Sequence, residues 1–410
     1  MVRPNLHCAI AGCGPAGAML GLLLARAGLN VLVLEKHADF LRDFRGDTVH
    51  PSTLNLLDEL DLGERMAQLP QRREDVFEFG SRLGTWRLAD FSRLSGPHRY
   101  IAMMPQWDLL SLLTDAARAW PGFQLKMNAE VIGIETDGGR VTGLRYLEAG
   151  ATHVAPALLS VAADGRSSAV RRAARLVPRE FGTPIDVLWF RLPRRASDPT
   201  GLLARVGERA MAILIDRDSY WQIAYLVPKN SYQPTDASLL PQLREHMGRL
   251  APFLSERTDL LTRTDDLHLL SVQLNRLSQW WRDGLLCIGD AAHAMSPVGG
   301  VGINLAVQDA VATANRLAAP LASRQLTATD LQAVQHRRHM PTVATQALQR
   351  IVHRRLLEPV FAGAEPRPPL LVRALSASRL GQSLGARAIG YGLRPEHVKT
   401  PAVSIGDVPQ

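Results

Sequence analysis

Apolar positions along this chain change period several times, and each change marks a different predicted element. An unbroken apolar run at residues 6–11 predicts a buried strand, and residues 18–27 follow with helical leucine and alanine spacing. Gly28-Leu29-Asn30 ends that helix with C-cap chemistry. Residues 31–34 predict a second strand, which stops at Glu35. Together these pieces make a βαβ unit of about 30 residues. Leucine stripes at residues 51–62 and 106–120 predict two more helices. Residues 129–135, 140–147 and 152–155 alternate, separated by Asp137-Gly138-Gly139 and Glu148-Ala149-Gly150, which predicts a three-strand meander. A buried strand at 158–163 then ends at Asp164-Gly165.

The pattern changes from residue 179. Residues 186–192, 210–215 and 220–227 are rich in aromatic and β-branched side chains and predict strands. A helical stretch at 237–250 follows, so this part predicts a second sheet with one covering helix. The first pattern returns with an apolar strand at 285–288, a Gly-rich loop and a helix over 304–321. Residues 331–363 are helical in pattern with a break near Pro341, and Pro366-Arg367-Pro368-Pro369 predicts a short rigid spacer. The expected fold class is α/β (α+β overall). A Rossmann-like dinucleotide-binding domain spans 1–70, 100–178 and 276–330. An inserted mixed-sheet substrate domain spans 71–99 and 179–275, and a C-terminal helical region and tail spans 331–410.

Composition narrows the class. The 410 residues, 46% hydrophobic and 21% charged, suit a globular chain with large cores. Cys8, Cys13 and Cys287 form neither a metal pattern nor a disulfide framework, and predict buried thiols in a reducing cytoplasm. No uncharged run reaches about 18 residues, so no integral membrane segment is expected. The charge of +8 is concentrated: the last 80 residues hold 11 Lys and Arg against four acids. That region reads as a solvated face of C-terminal helices, or as a peripheral contact with an anionic membrane. Its basic residues alternate with Leu, Ala and Gly, and no nucleic-acid partner is expected. A monomer and a homodimer are both compatible with the sequence.

Two constellations carry chemistry. In Gly12-Cys13-Gly14-Pro15-Ala16-Gly17 the first glycine permits a tight turn. The second lets a pyrophosphate approach the backbone, and the third lets the helix pack on the strand. Glu35, followed by Lys36, stands where a ribose hydroxyl would be bound. The second constellation is Gly289-Asp290, continuing through Pro297, Gly299, Gly300, Val301, Gly302, Ile303 and Asn304. Asp290 at a strand end suits ribityl hydroxyls. The loop and the helix behind it suit a flavin ring edge that becomes anionic on reduction. The pair narrows the cofactor to a flavin dinucleotide.

With these motifs the chain resembles the group A FAD-dependent aromatic monooxygenases, the para-hydroxybenzoate hydroxylase-like family. The matching residues are Gly12–Gly17 with Glu35, Arg45-Gly46-Asp47, Gln106 after the apolar stretch 101–104, and Asp164-Gly165-Arg166-Ser167-Ser168 with Arg171. Gly289-Asp290 through Asn304 completes the set. The resemblance implies that Arg45 and Gln106 face the FAD diphosphate and ribityl region, and that the backbone near Val131 meets the adenine. It gives Asp164 a shared role toward FAD and the nicotinamide cofactor. It also implies a monooxygenase that uses NADPH or NADH and molecular oxygen to hydroxylate a small aromatic or polycyclic substrate through a flavin hydroperoxide.

A second dinucleotide loop and a Cys-x4-Cys pair are both missing from the sequence, as is the Trp-x-Trp-x-Ile-Pro signature of flavin-dependent halogenases. For a protein base there are two candidates. His50 follows the Arg45 motif and precedes Pro51, so it is either a pocket-facing residue or a packing and cap residue. Tyr225 lies on a strand of the substrate sheet, in the aromatic stretch 220–225 that lines either a pocket or the domain core. The alternative function on the same scaffold is an FAD-dependent reductase, dehydrogenase or epoxidase acting on a non-aromatic substrate. A flavin-binding sensor is a third.

Overall fold

The computed structural model describes residues 5–41, 48–81, 84–207, 209–236, 238–364 and 376–403. Two sheets dominate. The first carries five parallel strands in the order Leu285–Cys287, Ala151–Ala162, Leu6–Ala11, Val31–Leu34 and Phe123–Lys126. The alanine- and leucine-rich helix Pro15–Arg26 has ten buried residues and packs against the helices Gly302–Ala322 and Gln106–Ala117. Such near-continuous apolar strands are what a parallel sheet covered on both faces requires.

The second sheet has seven strands in the order His268–Leu270, Ile185–Pro193, Tyr220–Pro228, Ala210–Asp216, Leu202–Gly207, Val76–Ser81 and Gly84–Asp90. Strand alternation divides its apolar side chains between two faces. Phe190, Trp221, Ile223 and Tyr225 pack on the helix Leu239–Leu250. Val187, Ala224 and Leu226 pack the other way, against Val298, Leu357 and Val360. The second face thus meets the Gly-rich loop after Asp290.

Three sequence expectations need correction. The strands expected at 152–155 and 158–163 form one twelve-residue strand, Ala151–Ala162. Its first half pairs antiparallel with Arg140–Glu148 up to Pro156, and from Ala157 it pairs parallel with Leu6–Ala11. Pro156, which lacks an N–H, stands where the strand changes partners. The helix expected over 51–62 stops at Asp58 and a second one begins at Gly63, because Asp61 takes a left-handed conformation at φ 58°. No break occurs at Pro341: Ala328–Val352 is continuous, and the irregularity is a π turn at His353–Leu357. A mid-helix proline costs about 3 kcal/mol. Here the buried side chains of Arg338, Thr342, Gln346 and Gln349 hold the helix in place through it.

The Pro366–Pro369 spacer and Arg45 lie outside the described residues. No helix among the described residues is long and apolar enough to cross a membrane.

Candidate flavin and substrate site

At the first glycine loop, Gly12 has φ +91°, and a Cβ there would lie 2.6 Å from the Ala163 carbonyl oxygen. A Cβ on Gly17 would run into the Gly12 carbonyl, whereas one on Gly14 meets no atom within 4 Å. Gly12 and Gly17 are therefore fixed by packing, and Gly14 faces open space at the N-terminus of the helix that Pro15 begins. Ala16, also in this first turn, is buried. Glu35 is only 3% exposed. Its Oε2 accepts the Cys13 N–H at 2.9 Å and its Oε1 the His37 N–H at 3.1 Å, so it also braces the loop. Lys36 beside it is exposed. Val131 is buried on the strand Ala129–Asp137, which is tied to this corner by Ala129 N–H donating to the Glu35 carbonyl at 2.8 Å. Gln106 opens the helix Gln106–Ala117, half-buried, with Pro105 as its cap residue.

Asp164 lies just past the end of the strand Ala151–Ala162, next to Gly165, whose φ is +82°. One carboxylate oxygen accepts the Val170 N–H at 3.2 Å, and the other is buried with no hydrogen-bond partner among the described residues. Burial pushes the Asp164 carboxyl above the usual aspartate range. Arg171 wires this motif to the next: it donates to the Arg166 carbonyl at 2.7 Å and to the Ala291 carbonyl at 3.0 Å. Arg166 in turn lies 3.3 Å from the Asp290 carboxylate.

Asp290 sits in a short 3-10 turn, Gly289–Ala291, with its side chain 30% exposed. Behind it is a network that the sequence reading missed. The Gly289 N–H donates to Asp309 at 3.1 Å, and the fully buried Asp309 also binds His293 at 2.6 Å and Arg338 at 3.0 Å. Arg338 and Arg337 both reach Glu396, at 3.4 and 2.6 Å. Burial alone would raise the Asp309 pKa, but the adjacent His293 and Arg338 outweigh it and hold the carboxyl below its usual range. The available signal was a carboxylate in the middle of an Ala- and Val-rich helix.

The loop beyond Asp290 is shaped by Gly299 and Gly300, at φ +83° and +63°. Thr48 Oγ1 donates to the Gly300 carbonyl at 2.8 Å, and a Cβ on Gly300 would lie 2.5 Å from that hydroxyl. Pro297 is exposed, Val301 caps the helix Gly302–Ala322, Ile303 is buried, and Gly302 has no atom within 4 Å of a Cβ position. The Asn304 side chain is committed to the fold: its Oδ1 accepts Ser52 Oγ at 2.7 Å and Thr53 Oγ1 at 2.6 Å. One face of the helix Ala328–Val352 and the turn after it grips the loop from behind. Gln346 donates to the Ala294 carbonyl, Gln349 to the Ser296 and Val298 carbonyls, and His353 Nε2 lies 2.9 Å from Ser296 Oγ.

These residues fit an FAD molecule. Gly14 and Gly302 leave open space at two helix N-termini, which favour the diphosphate and the anionic ring edge. Asp290 is a partly exposed carboxylate between them. Trp189 and Ile213 belong to both apolar clusters in front of the loop, one with Val298 and Leu357 and one with Ile101, Met103 and Ile215. Ala386 and Ile389 of the helix Arg379–Gly390 complete that wall.

His50 is 0% exposed and caps the helix Pro51–Asp58. Its Nδ1 lies 2.8 Å from the Ile389 carbonyl, and its Nε2 is buried with no hydrogen-bond partner among the described residues. A carbonyl only accepts, so Nδ1 carries the proton and Nε2 keeps its lone pair. Burial lowers the His50 pKa against the opposing pull of the Ile389 and Gly300 carbonyls. Tyr225 requires a correction: it lies on the helix-covered face of its sheet, its hydroxyl 2.6 Å from His246 Nδ1. Burial raises its pKa, and neither its direction nor its acidity suits a base at the flavin loop. Residue parity on the strand separates it from Ala224, which does face that side.

Residues 5–350 match the family described as FAD binding domain. The chain is similar to 6-methylpretetramide 4-monooxygenase of Streptomyces rimosus, 32% identical over 402 residues, covering 97% of this chain and 95% of that one. It is 31% identical over 330 residues to 12-dehydrotetracycline 5-monooxygenase/anhydrotetracycline 6-monooxygenase of Streptomyces rimosus subsp. rimosus, covering 76% of this chain and 62% of that protein. The crystal structure of pqsL, a probable FAD-dependent monooxygenase from Pseudomonas aeruginosa, shares the fold with TM-score 0.73. It is 22% identical and covers 87% of this chain and 98% of its own. The chain thus belongs to the FAD-binding-domain family and is an FAD-dependent monooxygenase, with NAD(P)H and oxygen as co-substrates.

Proposed function

We propose that the substrate is a fused-ring phenol and that the reaction is its aromatic hydroxylation. In balance, Ar–H, O2, NAD(P)H and a proton give Ar–OH, NAD(P)+ and water. The observation that carries this reading is the apolar cluster of Trp189, Ile213, Ile215, Met103 and Ala386, which through Trp189 and Ile213 runs on to Val298 at the start of the Gly299–Gly302 loop. A flat hydrophobic molecule suits it. The named activity of the relative matched along 97% of the chain, on a methylpretetramide, points to the same substrate class.

FAD, when bound, carries electrons from the nicotinamide to oxygen. The protein contributes the rest. Glu35, Gln106, Asp164 and Asp290 would hold the dinucleotide, and the helix beginning at Gly302 would offer its N-terminus to the anionic ring edge. The apolar wall excludes water. His50 is the candidate base, since its free Nε2 can take a phenolic proton and so raise the electron density of the ring. In this reading residues 71–99 and 179–275 form the substrate domain, and the enzyme works in the cytoplasm. The three free, buried cysteines support that compartment.

The test is a panel of phenols and fused-ring polyketides, scored by stimulated NAD(P)H oxidation and by product mass. A product heavier by one oxygen is expected. Stimulation by non-aromatic substrates alone would overturn the substrate class.

A further inference from the structure

Near the C-terminal end of the helix that grips the flavin loop, Phe181 sits among three guanidinium groups. Arg276, Arg350 and Arg179 lie 5.0, 5.4 and 5.5 Å from its ring centroid. A cavity of about 270 Å³ opens beside it, walled by Phe181, Thr183, Arg350, His353, Arg354 and Glu358. Arg350 and Arg354 line the cavity, and Arg179 and Arg276 stand over the Phe181 ring that forms part of its wall. Glu358 is the one carboxylate in its wall, yet none of the four arginines makes an ion pair among the described residues. Arg276 donates only to Gln346, at 2.6 Å. Glu180, adjacent in sequence, is engaged by Asn275 at 2.9 Å.

Like charges gathered without a counter-charge are unfavourable. Burial, then Arg179 and Arg350, depress the Arg276 pKa, which registers that cost. Guanidinium groups are also the side chains best matched to phosphate oxygens, through paired, charge-assisted hydrogen bonds. An aromatic ring at the floor of the cluster offers a stacking surface for a base.

We propose that Arg179, Arg276, Arg350 and Arg354 around Phe181 form a binding site for a phosphate-bearing ligand. The site communicates with the flavin loop. His353 belongs to the cavity wall and contacts Ser296 Oγ, and Gln349, next to Arg350, holds the Ser296 and Val298 carbonyls. Two sources share this chemistry: a phosphorylated nucleotide, including the dinucleotide donor itself, and a free inorganic phosphate or pyrophosphate.

The experiment titrates FAD-loaded enzyme with NADP+, NAD+, inorganic phosphate and pyrophosphate, following heat and the visible flavin spectrum. The double variant Arg179→Ala/Arg350→Ala and the single variant Phe181→Leu are run in parallel, with flavin content and melting temperature as controls for folding. The expected result is saturable binding that weakens about tenfold or more in the double variant at unchanged flavin content. Tighter binding of NADP+ than NAD+, with a loss in Phe181→Leu, identifies the nucleotide as the source. Binding of phosphate or pyrophosphate alone identifies the free anion, and either result supports the site. No saturable binding of any of the four probes, or equal affinities in wild type and double variant, overturns it.

Discussion

Asp290 and Asp309 are both aspartates of the flavin segment, and their surroundings give them opposite consequences. Asp290 is partly exposed and its one ion-pair partner among the described residues is Arg166, so Asp290→Ala removes little that holds the fold. The expected outcome is a large loss of FAD at a nearly unchanged melting temperature, read from visible absorbance per protein. Asp309 pairs with the Arg338 guanidinium and hydrogen-bonds His293 in a site closed to water. Asp309→Ala leaves Arg338 only the longer contact to Glu396 and takes from His293 its carboxylate partner, and is expected to cost about 3 kcal/mol in denaturant unfolding.

The glycines divide in the same way. Gly14→Val yields a folded protein without flavin, because its side chain enters open space meant for the pyrophosphate. Gly17→Val destabilises the protein itself, because its side chain meets the Gly12 carbonyl. The Gly-x-Gly-x-x-Gly spacing was legible because turn, phosphate approach and packing each impose a local demand. Asp309, Arg338 and Glu396 were not, because tertiary packing alone brings these distant positions together.

The element that governs the flavin loop is the helix Ala328–Val352 with the π turn after it. Gln346, Gln349 and His353 share one face and replace backbone partners for a loop that has no sheet to bind. The sequence predicted helix here, and it also predicted a break at Pro341 that tertiary packing overrides. Periodicity reports an exposed or buried face, not which neighbour will fill it. The same limit applies to the strand Tyr220–Pro228, whose alternation was readable while the side facing the flavin was not.

His353 gives this element a pH signature. Burial lowers its pKa from 6.5 to about 4, so it stays neutral in the fold. Below pH 6.5 the unfolded chain takes up a proton that the folded protein refuses, and stability falls until about pH 4. The melting temperature of His353→Gln is expected to fall less steeply across that window than that of wild type. Parallel curves would show that His353 is not the titrating group.

At the scale of the whole molecule, the C-terminal segment closes the structure. Ile389 supplies the carbonyl that fixes His50, Ala386 packs under the substrate wall, and Glu396 receives Arg337 and Arg338. Further along, His397 and Val398 reach Glu59, and Thr400 accepts from Arg26. Part of the basic charge that the sequence placed at this end is therefore used inside the fold. Removing residues 376–410 is expected to lower the melting temperature and release FAD, both read on the purified protein. A truncated enzyme with unchanged stability and flavin content would assign this segment no structural role. The order of elements and the two glycine loops at helix N-termini were legible from residue spacing. The closing role of the tail was not, since its contacts join positions more than 300 residues apart, as Glu59 and His397 do.

On the proposed function, the chain couples reduced flavin to oxygen insertion into a fused-ring aromatic. The most direct measurement compares turnover with and without oxygen for the best substrate of the panel, using isotopically labelled oxygen. NAD(P)H oxidation and product formation are expected to stop together without oxygen, and with it the product is expected to carry one labelled atom. Full turnover under anaerobic conditions, or a product free of label, would contradict it.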